Sequence, residues 1–129
     1  MKNASPRRPR KRAGSPRLPK ELTLGITAAL EKKAIDLVVL DLQRGSAFTD
    51  FFVICTGANA RQVQAIAEAV EAALAQHGTR PALVEGLNRA EWVLIDYFDF
   101  IFHIFTPATR EFYALERLWG DAERVEVPA

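Results

Sequence analysis

The chain has 129 residues, of which 49% are hydrophobic and 26% charged, values typical of one soluble globular domain. Its one cysteine, Cys55, excludes an internal disulfide framework, and no apolar run reaches the ~18 residues that a membrane span needs. Residues 1–20 also lack the apolar segment of a secretory signal. These observations predict a cytoplasmic domain that makes no membrane contact and folds on its hydrophobic core alone.

The net charge of +1 conceals two regions of opposite sign. Residues 1–20 contain eight Lys and Arg and no acid, whereas the rest of the chain contains nine bases and sixteen acids, a net charge of −7. Because the first segment has few large apolar side chains, it cannot offset the entropy that ordering costs. We therefore predict a disordered basic tail at 1–20, an α/β domain at 21–120 and a flexible C-terminal tail at 121–129. The basic tail is a solubilising segment, an arm on RNA phosphates or a transit peptide, and its prolines make the transit peptide the least favoured of the three.

The first half of the chain alternates between helical and strand patterns. Leu22 and Ile26 recur at helical spacing, and the branched run that begins at Ile35 is typical of a strand. Asn59 provides an N-cap for the following helix, which Gly78 ends. The elements predicted in this half are a helix at 22–34, a strand at 35–42, a turn at 43–47, a strand within 48–57 and a helix at 60–77.

A hairpin is the main feature predicted in the second half. Only Tyr97 and Phe98 lie between Asp96 and Asp99, which indicates a tight turn between two strands. Pro81 confines the short strand before them to a sheet edge, because proline cannot donate to a ladder. The elements predicted here are an edge strand at 81–84, a loop at 85–89 and strands at 91–96 and 99–105.

A last helix is predicted to begin after Thr106, with Pro107 at its first position, and to end at Gly120. Its predicted buried residues are Phe112, Leu115 and either Leu118 or Trp119. The element order is then α-β-β-α-β-β-β-α. Because the central strands are apolar on both faces, we predict a single α/β domain with a mixed central sheet of about five strands and flanking helices.

Groups that could carry catalysis are few. Asp96 and Asp99 resemble a metal or acid–base pair, but a place at the two ends of a hairpin favours a solvated rim, and no third ligand stands near them. His103 has no Ser, Cys or Asp placed to form a relay, which favours a sheet-face histidine bonded to the backbone. Cys55 lies in an apolar strand, where burial is favoured over nucleophilic reactivity. We therefore expect no catalytic residue, no metal and no cofactor.

The turn from Thr56 to Gln62 supports an alternative function. It joins a strand to a helix and contains Gly57, and phosphates bind at such turns in many folds. It lacks both GxxxxGK[ST] and GxGxxG, which favours a plain tight turn. The alternative that stays open is a nucleotide-binding or nucleotidyl-transfer enzyme that uses Gly57 and the helix N-terminus at Asn59.

Aromatic residues are concentrated among acids near the end of the chain. Nine of the twelve aromatic side chains lie between residues 92 and 119. Such a composition is typical of the core of a small domain and also of protein interfaces. The pattern alone does not choose between the two.

Six segments, in this order and at this spacing, give the chain a resemblance to the ribosomal silencing factor family, also called the Iojap-like family. They are Asp50–Gly57, Arg61–Val63, Glu85–Gly86, Glu91–Asp96, His103–Phe105 and Arg110–Trp119. The resemblance covers residues 22–119. It implies a domain similar to a nucleotidyltransferase fold but without the catalytic acids of that fold.

The resemblance also implies a function and a partner. Family members bind protein fourteen of the large ribosomal subunit, block joining of the small subunit and repress translation when nutrients are scarce. We therefore expect a non-enzymatic protein, monomeric or weakly dimeric when free, that docks on this basic protein through an acidic face bearing aromatic residues. The predicted partner-binding residues are Trp92, Asp96, Phe98, Asp99 and Tyr113.

Two departures from the family pattern affect these expectations. Family members usually have a glycine in the hairpin between the aspartates, where this chain has Tyr97 and Phe98, so an aromatic side chain is expected to project there. The basic tail at 1–20 lies outside the family pattern. A third hypothesis is therefore a general RNA-binding protein that contacts rRNA through this tail.

Overall fold

A computed structural model describes residues 18–45 and 47–127, so the basic tail up to residue 17 lies outside the described residues. We number the elements in chain order. They are α1 (Lys20–Glu31), β1 (Ile35–Asp41), β2 (Phe51–Thr56), α2 (Ala60–Gln76), β3 (Leu83–Glu85), β4 (Trp92–Asp96), β5 (Phe100–Phe105), α3 (Pro107–Tyr113), α4 (Leu115–Leu118) and β6 (Glu123–Val125).

The six strands form one mixed sheet in the order β3-β4-β5-β2-β1-β6. The central strands β2 and β5 run parallel, and the other four pairs are antiparallel. Every residue of β2 and of β5 is buried. Because successive side chains point to opposite faces of a sheet, both faces must be covered. The predicted α/β fold with a mixed sheet and flanking helices is confirmed.

The first face of the sheet is covered by α1 and α2. Side chains of α1, α2 and the inward residues of the strands form one large apolar cluster that includes Leu22, Ile66, Val70, Val93 and Phe102. A side chain at Gly25 would lie 2.6 Å from the Phe102 ring, so glycine lets α1 approach the sheet closely. Helix α2 begins where predicted, because the Asn59 side chain accepts a hydrogen bond of 2.9 Å from the Gln62 N–H.

The second face of the sheet carries a smaller hydrophobic cluster, and the helices that cover it are shorter. Its buried residues are Leu40, Leu42, Phe52, Ile54, Ile101 and Phe105. Leu115 of α4 and the following Trp119 pack against them, and the Trp119 ring meets the Phe52 ring edge-on at 5.6 Å. The helices on this side have seven and four residues, against twelve and seventeen on the first face.

The structure corrects the predicted C-terminal region in two places. The single last helix is broken at Ala114, whose φ of 47° is left-handed, and Phe112, predicted to be buried, is 79% exposed. Of the two alternatives for the last buried position, Trp119 packs on the sheet while Leu118 is 74% exposed. Glu123–Val125, within the segment expected to be a flexible tail, form a sixth strand that pairs with β1 and buries Val125.

Candidate functional site

The predicted partner-binding residues divide into two groups at opposite ends of β4. Trp92 begins this strand and Asp96 ends it, which separates them by about 13 Å. Tyr113 lies beside Trp92, with ring centroids 4.7 Å apart. Phe98 and Asp99 follow Asp96 in the turn of the hairpin. Trp92 and Asp96 nevertheless point to the same side of the sheet, its second face, because they are an even number of positions apart in one strand.

The hairpin turn is built around the Asp96 carboxylate. Its Oδ1 accepts a hydrogen bond of 2.8 Å from the Phe98 N–H, and the Asp99 N–H donates to the Tyr97 carbonyl at 2.9 Å. Phe98 adopts φ of 71°, a left-handed conformation that suits glycine better than phenylalanine. Tyr97 turns inward and is 6% exposed, while Phe98 is 73% exposed. An aromatic side chain therefore does project from this turn, as the departure from the family glycine led us to expect.

The loop before β2 is joined to this turn, which the sequence did not indicate. The Thr49 hydroxyl donates to the Phe98 carbonyl at 2.7 Å. The N–H groups of Asp50 and Phe51 donate to the Asp99 carbonyl at 3.0 and 3.2 Å. These bonds link residues about fifty positions apart, so no local periodicity reports them. The one signal available was Asp50 itself, which opens the first of the six family segments.

The other group is centred on Trp92. Its indole N–H donates to Nδ1 of His103 at 3.1 Å, and its ring stacks on Phe105 at 5.1 Å. A cavity of about 650 Å³ opens between the loop that follows β3 and helix α3, and both Trp92 and Tyr113 line it. Tyr113 is 49% exposed. This group therefore offers aromatic surface to a partner, but at a distance from the hairpin carboxylates.

His103 supports Trp92 and has no features of a catalytic base. The side chain is 4% exposed, and burial lowers its pKa to about 4. It is therefore neutral at pH 7, and because its Nδ1 accepts from Trp92 the proton is on Nε2. Nε2 has no hydrogen-bond partner among the described residues. The bond we expected from His103 to the backbone is replaced by one to the Trp92 side chain.

A second polar cluster, around Arg110, holds the C-terminal elements in place. The Arg110 guanidinium donates to Oγ1 of Thr56 at 2.8 Å and to both carboxylate oxygens of Glu116 at 3.0 and 2.9 Å. Its side chain is only 13% exposed, and its hydrogen bonds lower the pKa of Glu116. Arg124 of β6 lies 3.9 Å from the same carboxylate. These contacts tie α3, α4 and β6 to the end of β2.

The features that would favour an enzyme are weak. A side chain at Gly57 would lie 2.7 Å from the backbone N of Val63, so this glycine is needed for packing of the turn on its own helix. Burial raises the pKa of the Cys55 thiol to about 12. Within residues 18–45 and 47–127 no cluster of three or more His, Cys, Asp or Glu side chains is placed to hold a metal ion. No described helix is long and apolar enough to cross a membrane.

Comparison with known proteins gives one consistent family. The sequence model of the family described as "Ribosomal silencing factor during starvation" matches residues 15–129. A Halalkalibacterium halodurans protein named "Ribosomal silencing factor RsfS" is 42% identical over 106 residues, which are 82% of this chain and 91% of that relative. Proteins with that name are described by a regulatory role rather than by a reaction.

Two more distant comparisons agree with the first. A crystal structure of a Chromobacterium violaceum protein superposes with a TM-score of 0.76 at 32% identity and covers 85% of this chain and 88% of that one. A mouse protein named "Mitochondrial assembly of ribosomal large subunit protein 1" is 26% identical over 102 residues, 77% of this chain and 45% of that protein.

Proposed function

Because the chain belongs to the ribosomal silencing factor family, we propose that it is a cytoplasmic factor that binds protein fourteen of the large ribosomal subunit. By occupying the intersubunit face it blocks joining of the small subunit, and it thereby represses translation when nutrients are limiting. The observation that carries this proposal is the family match over residues 15–129. The name of the mouse relative supports the choice of the large subunit.

The mechanism is steric, and the second face of the sheet supplies the contact. Docking requires exposed apolar side chains, because their burial against the partner contributes binding free energy. Phe98 and Tyr113 are 73% and 49% exposed. Asp96 and Asp99 give this side a negative charge, which attracts a basic ribosomal protein and repels bare phosphate. Trp92 is fixed by His103 and by its aromatic neighbours, so it is ordered before the partner arrives.

The test of the function is co-sedimentation with separated ribosomal subunits. We expect the full chain to sediment with large subunits alone and to lower the yield of joined ribosomes when small subunits are added afterwards. Sedimentation with small subunits, or unchanged joining at saturating protein, would contradict the proposal.

The test of the face is a double charge reversal, Asp96→Lys with Asp99→Lys. We expect it to abolish binding to large subunits at moderate salt, because both carboxylates would be replaced by charges that repel a basic partner. Glu31→Lys with Glu68→Lys is the matched control, since it changes the net charge equally at exposed positions of α1 and α2. Equal loss in both double variants would indicate that only net charge matters and would exclude this face.

A further inference from the structure

We infer that the loop before β2 supplies the second half of the contact at the hairpin, so that Phe48 and Asp50 bind the partner together with Asp96, Phe98 and Asp99. We call these five residues the docking tip. The inference rests on the proposed function and extends it, because it adds two contact residues and specifies the partner surface as one rich in lysine and arginine.

The two loops of the docking tip form one rigid unit. Three hydrogen bonds join them, from the Thr49 hydroxyl to the Phe98 carbonyl and from the N–H groups of Asp50 and Phe51 to the Asp99 carbonyl. Thr49 is itself buried, at 4% exposed. Since the backbone of one loop holds that of the other, a partner that reaches Phe98 and Asp99 also meets the neighbouring loop. Little ordering entropy is then lost on binding.

The two aromatic side chains of the docking tip are exposed to solvent, although apolar side chains are normally buried on folding. Phe48 is 81% and Phe98 is 73% exposed, although most large apolar side chains of the described chain are buried. Large exposed apolar side chains are a common mark of a protein interface. Phe98 also keeps a left-handed backbone that glycine would adopt with less strain. The fold alone gives no reason for phenylalanine at either position.

The charged part of the docking tip determines the partner class. Asp50 and Asp99 are exposed, and within residues 18–45 and 47–127 no basic nitrogen lies within 4.0 Å of any of the three tip carboxylates. Lysine and arginine fit this arrangement, because their charged ends pair with carboxylates while their apolar stems lie on phenyl rings. An RNA backbone does not fit, since its phosphates would be repelled.

The first experiment measures the affinity of the full chain for purified large subunits. We expect Phe48→Ala and Phe98→Ala each to weaken binding about tenfold, which is typical of an aromatic residue at the centre of an interface. Ile35→Ala is the control, because Ile35 is 44% exposed and lies at the end of β1 that pairs with Thr56, away from the docking tip. It should change the affinity less than twofold. All three variants should keep the wild-type melting temperature.

The second experiment is site-specific fluorescent labelling, which is possible because the single native cysteine is buried. Cys55 is buried and its thiol pKa is raised to about 12, so it does not compete for a thiol-reactive dye. Phe48→Cys and Glu68→Cys can therefore each be labelled at one position with an environment-sensitive fluorophore, because Glu68 is exposed on α2. We expect large subunits to shift the emission of the dye at position 48 and to leave the dye at position 68 unchanged.

The outcomes distinguish a failure of the docking tip from a failure of the proposed function. If Phe48→Ala binds as tightly as wild type and the dye at position 48 does not respond, while the Asp96→Lys with Asp99→Lys variant still loses binding, the docking tip is overturned and the proposed function stands. If the wild-type chain does not sediment with large subunits, both are overturned. Equal affinity for protein-free rRNA and for whole subunits would overturn the basic-protein partner.

Discussion

The two faces of the sheet differ in what fills them. The first face is apolar except for the buried Tyr97 hydroxyl, and it lies beneath two helices of twelve and seventeen residues. The second face contains His103, the Trp92 indole N–H and the Arg110 cluster, and it is covered by the short helices α3 and α4. Because apolar burial contributes most to stability and exposed polar and aromatic groups contribute most to recognition, we infer that the first face stabilises the domain and the second face binds the partner.

The largest expected effect is on the first face. Phe102 is fully buried beneath Gly25 and contacts the rings of Tyr97 and Phe100. Phe102→Ala should lower the free energy of unfolding by about 4 kcal/mol, because it removes apolar contacts and leaves a cavity. Urea denaturation measures the loss. A loss below about 1 kcal/mol would contradict the assignment of stability to this face.

A smaller loss is expected when the Arg110 cluster is broken. Arg110→Ala leaves the partly buried Glu116 carboxylate without its bidentate partner and should cost about 2–3 kcal/mol. Thermal denaturation measures the change. Arg117→Ala, an exposed substitution one residue after Glu116, is the control and should be nearly neutral. Equal melting temperatures for the two variants would mean that the cluster contributes nothing.

Acidification should destabilise the second face through His103. Its folded pKa of about 4 lies below the ordinary value of 6.5, so the unfolded chain binds the proton more tightly. The stability that this group contributes is fully present above pH 6.5 and is lost as the pH falls towards 4, by roughly 2–3 kcal/mol at pH 4.5. Between pH 6.5 and 4, the free energy of unfolding should fall more steeply with decreasing pH for wild type than for His103→Gln. Parallel curves would exclude His103 as the source.

The smallest expected effect concerns the hairpin. Phe98→Gly relieves the strain of a side chain at positive φ, because glycine adopts this backbone conformation freely. The free energy of unfolding should rise by about 0.5–1 kcal/mol. The same change removes an exposed ring and should weaken binding to large subunits. Opposite signs for stability and affinity would support a recognition role for this residue. Loss of both would indicate that the Phe98 ring stabilises the turn.

Most of the fold could be predicted from the sequence because its signals are local. The Asn59 cap, the apolar stripe of α2 and the two-residue turn at Tyr97 and Phe98 each act within a few positions. The C-terminal region could not be predicted. The break at Ala114 accompanies the bond between Arg110 and Glu116, and β6 is a three-residue strand held by pairing with the distant β1.

The candidate site was predicted in part for the same reason. The Asp96 to Asp99 turn is local, and its projecting aromatic followed from one replaced glycine. The loop that contains Phe48 meets the hairpin only because the parallel pairing of β2 with β5 brings the two together. A sequence gives no register for parallel strands separated by about fifty residues. Equally, nothing in the local pattern indicated that His103 bonds to Trp92.

The placement of Trp92 and Trp119 gives the protein a built-in optical reporter. They are the only tryptophans in the chain, and both pack on the second face, against His103 and Phe52 respectively. The tyrosines Tyr97 and Tyr113 lie one on each face. Selective excitation of the indoles therefore observes the second face alone, whereas signals from the backbone report on the whole domain. Loosening of the second face on its own would change the fluorescence before it changes the circular dichroism.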